Sequence, residues 1–100
     1  MKPGKKDKKV NILIQGQELF ELKRHAELMV EAFGLDRRIE NYQGKRSIGF
    51  YRWDLDCLID VIEIASNDPD EYPDKDSLEY KALSDLHARL KKEYQRNFEQ

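Results

Sequence analysis

Residues 54–65 read DLDCLIDVIEIA, and the rest of the chain is interpreted around them. In helical geometry Leu55, Leu58, Ile59, Val61, Ile62, Ile64 and Ala65 cover most of the circumference and leave Asp56, Asp60 and Glu63 as one narrow polar stripe. A helix so widely apolar is packed on more than one side, which makes it the core of the fold. Asp54 is placed to cap its first turn, because a carboxylate there can accept an orphaned backbone N–H. Cys57 falls inside the apolar run, where a free thiol behaves as a small, inert hydrophobe.

Upstream, Ile48 and Phe50 alternate with Gly49 and Tyr51 between Ser47 and Trp53, the period of a strand. With Gly44, Lys45 and Arg46 as the turn, and Asp36 to Gln43 short and mixed, the pattern predicts a two-stranded hairpin anchored to the helices by Phe50 and Trp53. From Gln17 to Phe33 the residues Leu19, Leu22, Ala26, Met29, Val30 and Phe33 form the stripe of an amphipathic helix. Gly34 ends it, with Leu35 folding back on Val30 in a Schellman-type close. Glu21 with His25, and Lys23 with Glu27, are expected on its exposed face. Val10, Ile12 and Ile14 alternate as a short strand with Leu13 on the other face. Lysines 2, 5, 6, 8 and 9 make residues 1–9 a disordered basic arm.

Downstream, Asn67 to Lys75, with Pro69 and Pro73, is an acidic loop that no helix could traverse. Asp76 and Glu79 form a capping-box pattern for a long helix to about Phe98, striped by Leu78, Ala82, Leu83, Leu86, Leu90, Tyr94 and Phe98. At 1.5 Å per residue it reaches about 30 Å, so its end is expected to overhang and offer Tyr94 and Phe98 to a second copy. The fold class is therefore α+β: three amphipathic helices on a small antiparallel sheet or hairpin, in the order β-α-β-β-α-α, with residues 10–100 as one globular domain. An all-helical domain with a hairpin excursion is the alternative.

With 39% hydrophobic and 38% charged residues, one core is affordable and two are not. A single cysteine and no signal-peptide core or membrane-length apolar run point to a cytoplasmic protein. Net charge is -2, unevenly spread: residues 1–53 hold twelve of eighteen Lys and Arg and seven of twenty Asp and Glu, for +5, leaving -7 on residues 54–100. Such a split suits a phosphate-bearing or acidic partner for the basic half, or contact between the basic and acidic halves of neighbouring copies.

Chemistry-bearing residues cluster in the hairpin, where Arg38, Tyr42, Lys45, Arg46, Tyr51 and Arg52 interleave cations with rings. Guanidinium groups suit phosphates and aromatic faces suit unpaired bases. The leading expectation is a non-catalytic binding module whose hairpin face meets nucleic acid or an acidic protein partner. The bland reading of the same residues is a solvated sheet edge that resists aggregation. A second expectation is a self-associating structural or adaptor protein using Tyr94 and Phe98.

A third is a metal-dependent nucleotide phosphohydrolase, with Asp56, Asp60 and Glu63 holding Mg²⁺ and Glu18 with Glu21 supplying a second pair. This arrangement resembles the all-helical nucleotide pyrophosphohydrolases, although Asp60 to Glu63 inverts their Glu-x-x-Asp order and the interval from Glu21 is too long. The acidic loop lacks the glycine and spacing of an EF-hand, and one cysteine with His25 and His87 makes no zinc pattern. No phosphate-binding glycine loop or nucleophile elbow is present, so neither a cofactor nor catalysis is expected.

Overall fold

The computed structural model describes residues 9–29 and 34–98. It is an α+β fold with the elements β1 (Val10–Ile12), α1 (Gly16–Arg24), a 3₁₀ turn (Ala26–Leu28), α2 (Leu35–Asn41), β2 (Ile48–Phe50), α3 (Arg52–Ser66) and α4 (Leu78–Phe98). The expected basic arm over 1–8, the expected continuation of the first helix over Val30 to Phe33 and the expected contact of Leu35 with Val30 fall on residues outside those described.

The two strands pair antiparallel with Val10 opposite Phe50, Asn11 opposite Gly49 and Ile12 opposite Ile48. Val10, Ile12 and Phe50 are buried, and the alternation continues past the strand, with Leu13 exposed and Ile14 buried. β2 therefore meets a distant partner, and the segment expected to be the first arm of a local hairpin is helical instead. That segment is α2, whose Leu35 and Ile39 are buried one turn apart. It begins after Gly34, held at φ 75°, a conformation that costs a glycine little.

α3 runs through the centre, and α4 packs against both α3 and α1. Leu55, Leu58, Val61, Ile62 and Ala65 of α3 meet Leu83, Leu86 and Leu90 of α4 in one continuous core. The wrapping of α3 is less complete than its sequence suggests: Ile64 is 68% exposed and Cys57 is half-buried. Trp53, expected as an anchor, is 47% exposed, while Phe50 alone of that pair enters the core. Tyr94 and Phe98 are partly buried against the core and lie 5.5 Å apart, ring centre to ring centre.

Three local expectations are corrected. The N-cap of α3 is Tyr51, and Asp54 sits three residues inside, accepting the Tyr51 N–H at 3.0 Å. Asp54 is there because its carboxylate is fully buried and needs Arg38, which donates to Oδ2 from 2.9 Å. α4 begins after Ser77, whose hydroxyl accepts from the Tyr80 N–H at 3.2 Å, while the Asp76 N–H is taken up locally by Asp74. The first helix stops at Arg24, where the backbone switches to three-residue hydrogen bonds, Leu28 to His25 and Met29 to Ala26. That tighter winding keeps Ala26 and Met29 buried at a three-residue step and turns Leu28 outward.

The Arg38 guanidinium also donates to the Gly49 carbonyl and lies over the Phe50 ring, so one side chain ties α2 to β2 and to the start of α3. Removing it strands a buried carboxylate. Arg38→Ala should lower unfolding free energy by about 3 kcal/mol in urea titration, with Arg38→Lys recovering part of the loss.

Candidate functional site

Three of the six hairpin residues come together. Arg38, Tyr42 and Arg46 line one shallow, open groove of about 490 Å³ with Lys9, Asn41 and the stretch Ser47 to Gly49. The Tyr42 hydroxyl donates to the Arg46 carbonyl at 2.6 Å and accepts from the Ile14 N–H at 3.3 Å, which fixes the turn against the end of the first strand. Gly44 makes that turn possible: at φ 74° it is left-handed, and a Cβ there would sit 3.1 Å from the Ile14 carbonyl oxygen and 3.0 Å from Leu19 Cδ2. Gln15 completes the clamp by donating to the Gly44 carbonyl at 2.6 Å.

Lys45 is exposed beside Arg46 but outside the groove lining. Tyr51 and Arg52 lie at the entrance of α3, joined to the groove through Asp54, which accepts from both Arg38 and the Tyr51 backbone. Tyr51 stacks on Trp53 with ring centres 4.8 Å apart and planes at 17°. Trp53 is nearly half exposed, so the stack offers a flat aromatic surface at the start of α3, where exposed Arg52 lies between the two ring-bearing residues in sequence. Among the described residues Lys9, Lys45, Arg46 and Arg52 are exposed and make no ion pair, whereas Arg38 is committed to Asp54.

No family model, curated protein or solved structure matches this chain.

The three helix-three carboxylates do not converge. Asp60 and Glu63 border one cleft with Leu28 and Ile64, while Asp56 borders another with Ile59 and Lys91. Glu18 is paired with Arg89, and Glu21 is buried. Among the described residues no group of three His, Cys, Asp or Glu is arranged to hold a metal ion. In the acidic loop, Asp68 and Asp74 each accept a backbone N–H two residues on, which uses them as turn formers.

A polar cluster that sequence reasoning placed on the surface is in the interior. Glu21 and His25 are buried, and both meet Tyr72 from the acidic loop, itself only 3% exposed. The Tyr72 hydroxyl donates to Glu21 Oε1 at 2.7 Å. Its single proton is thereby used, so the 2.8 Å contact with His25 Nε2 is an N–H donating to the Tyr72 oxygen, which assigns the tautomer. Arg24 donates to both Glu21 and Glu71 and lies over the Tyr72 ring, closing the network at the surface. Gln17 donates to the second Glu21 oxygen at 2.7 Å. Burial, and then the hydrogen bond to Glu21, push the Tyr72 hydroxyl well above its ordinary range, so it stays a proton donor. The signal in sequence was one aromatic in a run of acids and prolines; an exposed loop has little use for a tyrosine unless its ring is buried.

Burial is also the largest influence on His25 and pushes its pKa below the ordinary 6.5, with Arg24 acting in the same direction and Glu71, Glu21 and Glu27 opposing. As pH falls through about 6.5 the unfolded imidazole takes up a proton that the folded one resists, so the unfolded chain binds more protons and stability drops. Melting temperature should fall between pH 7.5 and pH 5, and His25→Gln should flatten that slope.

Proposed function

We propose that this chain is a non-catalytic module that binds single-stranded nucleic acid through the groove and the adjoining entrance of α3. What carries the reading is the combination of the Tyr51–Trp53 stack, with Trp53 nearly half exposed, and exposed Lys45, Arg46 and Arg52, which make no ion pair among the described residues. Ammonium and guanidinium groups attract any polyanion, but a flat ring adds something only for a ligand with faces of its own. Base-on-ring stacking is worth about 1–3 kcal/mol per base, whereas an acidic protein surface gains little from it. The groove is shallow and open, as suits an extended strand. Arg38 and Tyr42 serve this surface by holding its shape: both are tied into the fold, and their contribution is to fix where Arg46 and the stack stand.

The chain has one tryptophan, Trp53, so intrinsic fluorescence reports on the surface directly. Titration with labelled single-stranded DNA or RNA at low salt should raise anisotropy and quench Trp53 emission. Affinity should fall with salt at a slope of about -0.7 per phosphate neutralised. Replacing Lys45, Arg46 and Arg52 together by Ala should make that slope shallower by about 2, while Trp53→Ala should cost about tenfold in affinity and leave the slope unchanged. No binding at low salt, or binding indifferent to these changes, overturns the reading. Binding of poly-glutamate in preference to the oligonucleotides would assign the surface to an acidic protein.

A further inference from the structure

A second surface shares no lining residue with the basic groove. Between the 3₁₀ turn and α3 lies a half-open cleft of about 450 Å³ lined by Leu28, Cys57, Asp60, Val61, Glu63 and Ile64. Residues 57, 60, 61 and 64 fall at the spacing of one helical face; Val61 is buried there and Cys57 half-buried, whereas Asp60 and Ile64 are exposed, so the described residues cover this face of the central helix only in part. Two of its apolar residues are solvated to an unusual degree: Leu28 is 49% and Ile64 is 68% exposed. Its charge has one sign. Asp60 and Glu63 have no ion-pair partner among the described residues, and neither Lys nor Arg is among the lining residues.

A cleft that sets exposed Leu28 and Ile64 together with the carboxylates of Asp60 and Glu63 suits one class of occupant. We propose that this cleft docks a basic amphipathic helix of a partner protein, its apolar side chains seated between Leu28 and Ile64 and its Lys or Arg residues meeting Asp60 and Glu63. Helices lie in such grooves by placing residues one turn apart on the apolar floor, and opposite charge at the rim sets orientation and excludes acidic competitors. The proposal does not depend on nucleic-acid binding, because the two surfaces are built from different residues.

The probe is a synthetic amphipathic helix of Leu and Lys at helical spacing, with a Leu and Glu counterpart of the same apolar face. The Leu/Lys peptide should bind the full chain and the Leu/Glu peptide should not. Ile64→Asp should weaken binding at least tenfold even though it adds a favourable charge, because it removes the apolar floor. Leu78→Asp places the same charge at an equally exposed leucine outside the cleft and should leave affinity unchanged. Asp60→Asn with Glu63→Gln should weaken binding and flatten its salt dependence. Cys57, the one cysteine of the chain, should be alkylated more slowly when the peptide is bound. All these side chains are exposed or half-buried, so the variants should keep the circular dichroism and melting temperature of the parent. Equal loss in the two Asp variants, binding of both peptides, or no binding overturns the proposal. Concentration-dependent sedimentation abolished by Ile64→Asp would also overturn it, by making a second copy the occupant.

Discussion

The carboxylate of Asp54 has no access to solvent and accepts two donors on one oxygen, the Arg38 guanidinium and the Tyr51 backbone N–H. An ionised group in such a position has to be matched, since leaving it alone would cost several kcal/mol. The match is what brings three separate elements to one point. Arg38 comes from α2, the Gly49 carbonyl it also satisfies belongs to β2, and Asp54 lies in the first turn of α3. The angle between strand and helix, and with it the position of the Tyr51–Trp53 stack, follows from satisfying this one charge. For the proposed nucleic-acid surface this would mean pre-arrangement, with less ordering entropy to lose on binding.

A second buried carboxylate works the other side of the molecule. Glu21 is reached by Tyr72, Arg24 and Gln17, and through Tyr72 it fastens the loop between α3 and α4 onto α1. That loop could hardly hold itself down, being rich in Asp and Pro and poor in apolar side chains. Its position is set by one phenol placed between a carboxylate and an imidazole. Both carboxylates join elements far apart in sequence through the donors that reach them; Glu21 is met on both oxygens, whereas Asp54 is met on Oδ2 alone and its buried Oδ1 has no hydrogen-bond partner among the described residues.

What was legible in the sequence was whatever depends on periodicity. The central helix, the long last helix, the first strand and the α+β class follow from residues such as Leu55, Leu58 and Ile62 that recur at the spacing of their element. Misreadings arose where polarity was taken as a proxy for exposure. Glu21 and His25 are spaced like a surface pair, and only Tyr72, about fifty residues away, makes them interior. Asp54 looks like an N-cap because nothing nearby announces its pairing with Arg38. α2 is hard to see in the sequence because its seven residues, about two turns, carry only Leu35 and Ile39 as apolar signal. At the candidate site the cations and rings were visible as types, but not which were already engaged: Arg38 and Tyr42 hold the fold, whereas Arg46, Arg52 and Trp53 face solvent.

The pairing of Val10 with Phe50 joins positions some forty residues apart. Closing a loop of that length costs about 3 kcal/mol in chain entropy alone, before any residue is fixed in extended form. A ladder only three residues long, at a net of about 1 kcal/mol per hydrogen bond, does no more than offset it. The strands stay together because Val10, Ile12 and Phe50 are sunk in the helical core, so the sheet is a product of that core rather than its nucleus. The basic groove inherits the same dependence. It does not exist in any isolated stretch of the chain, and its cations reach their positions only when the whole domain has closed around Phe50.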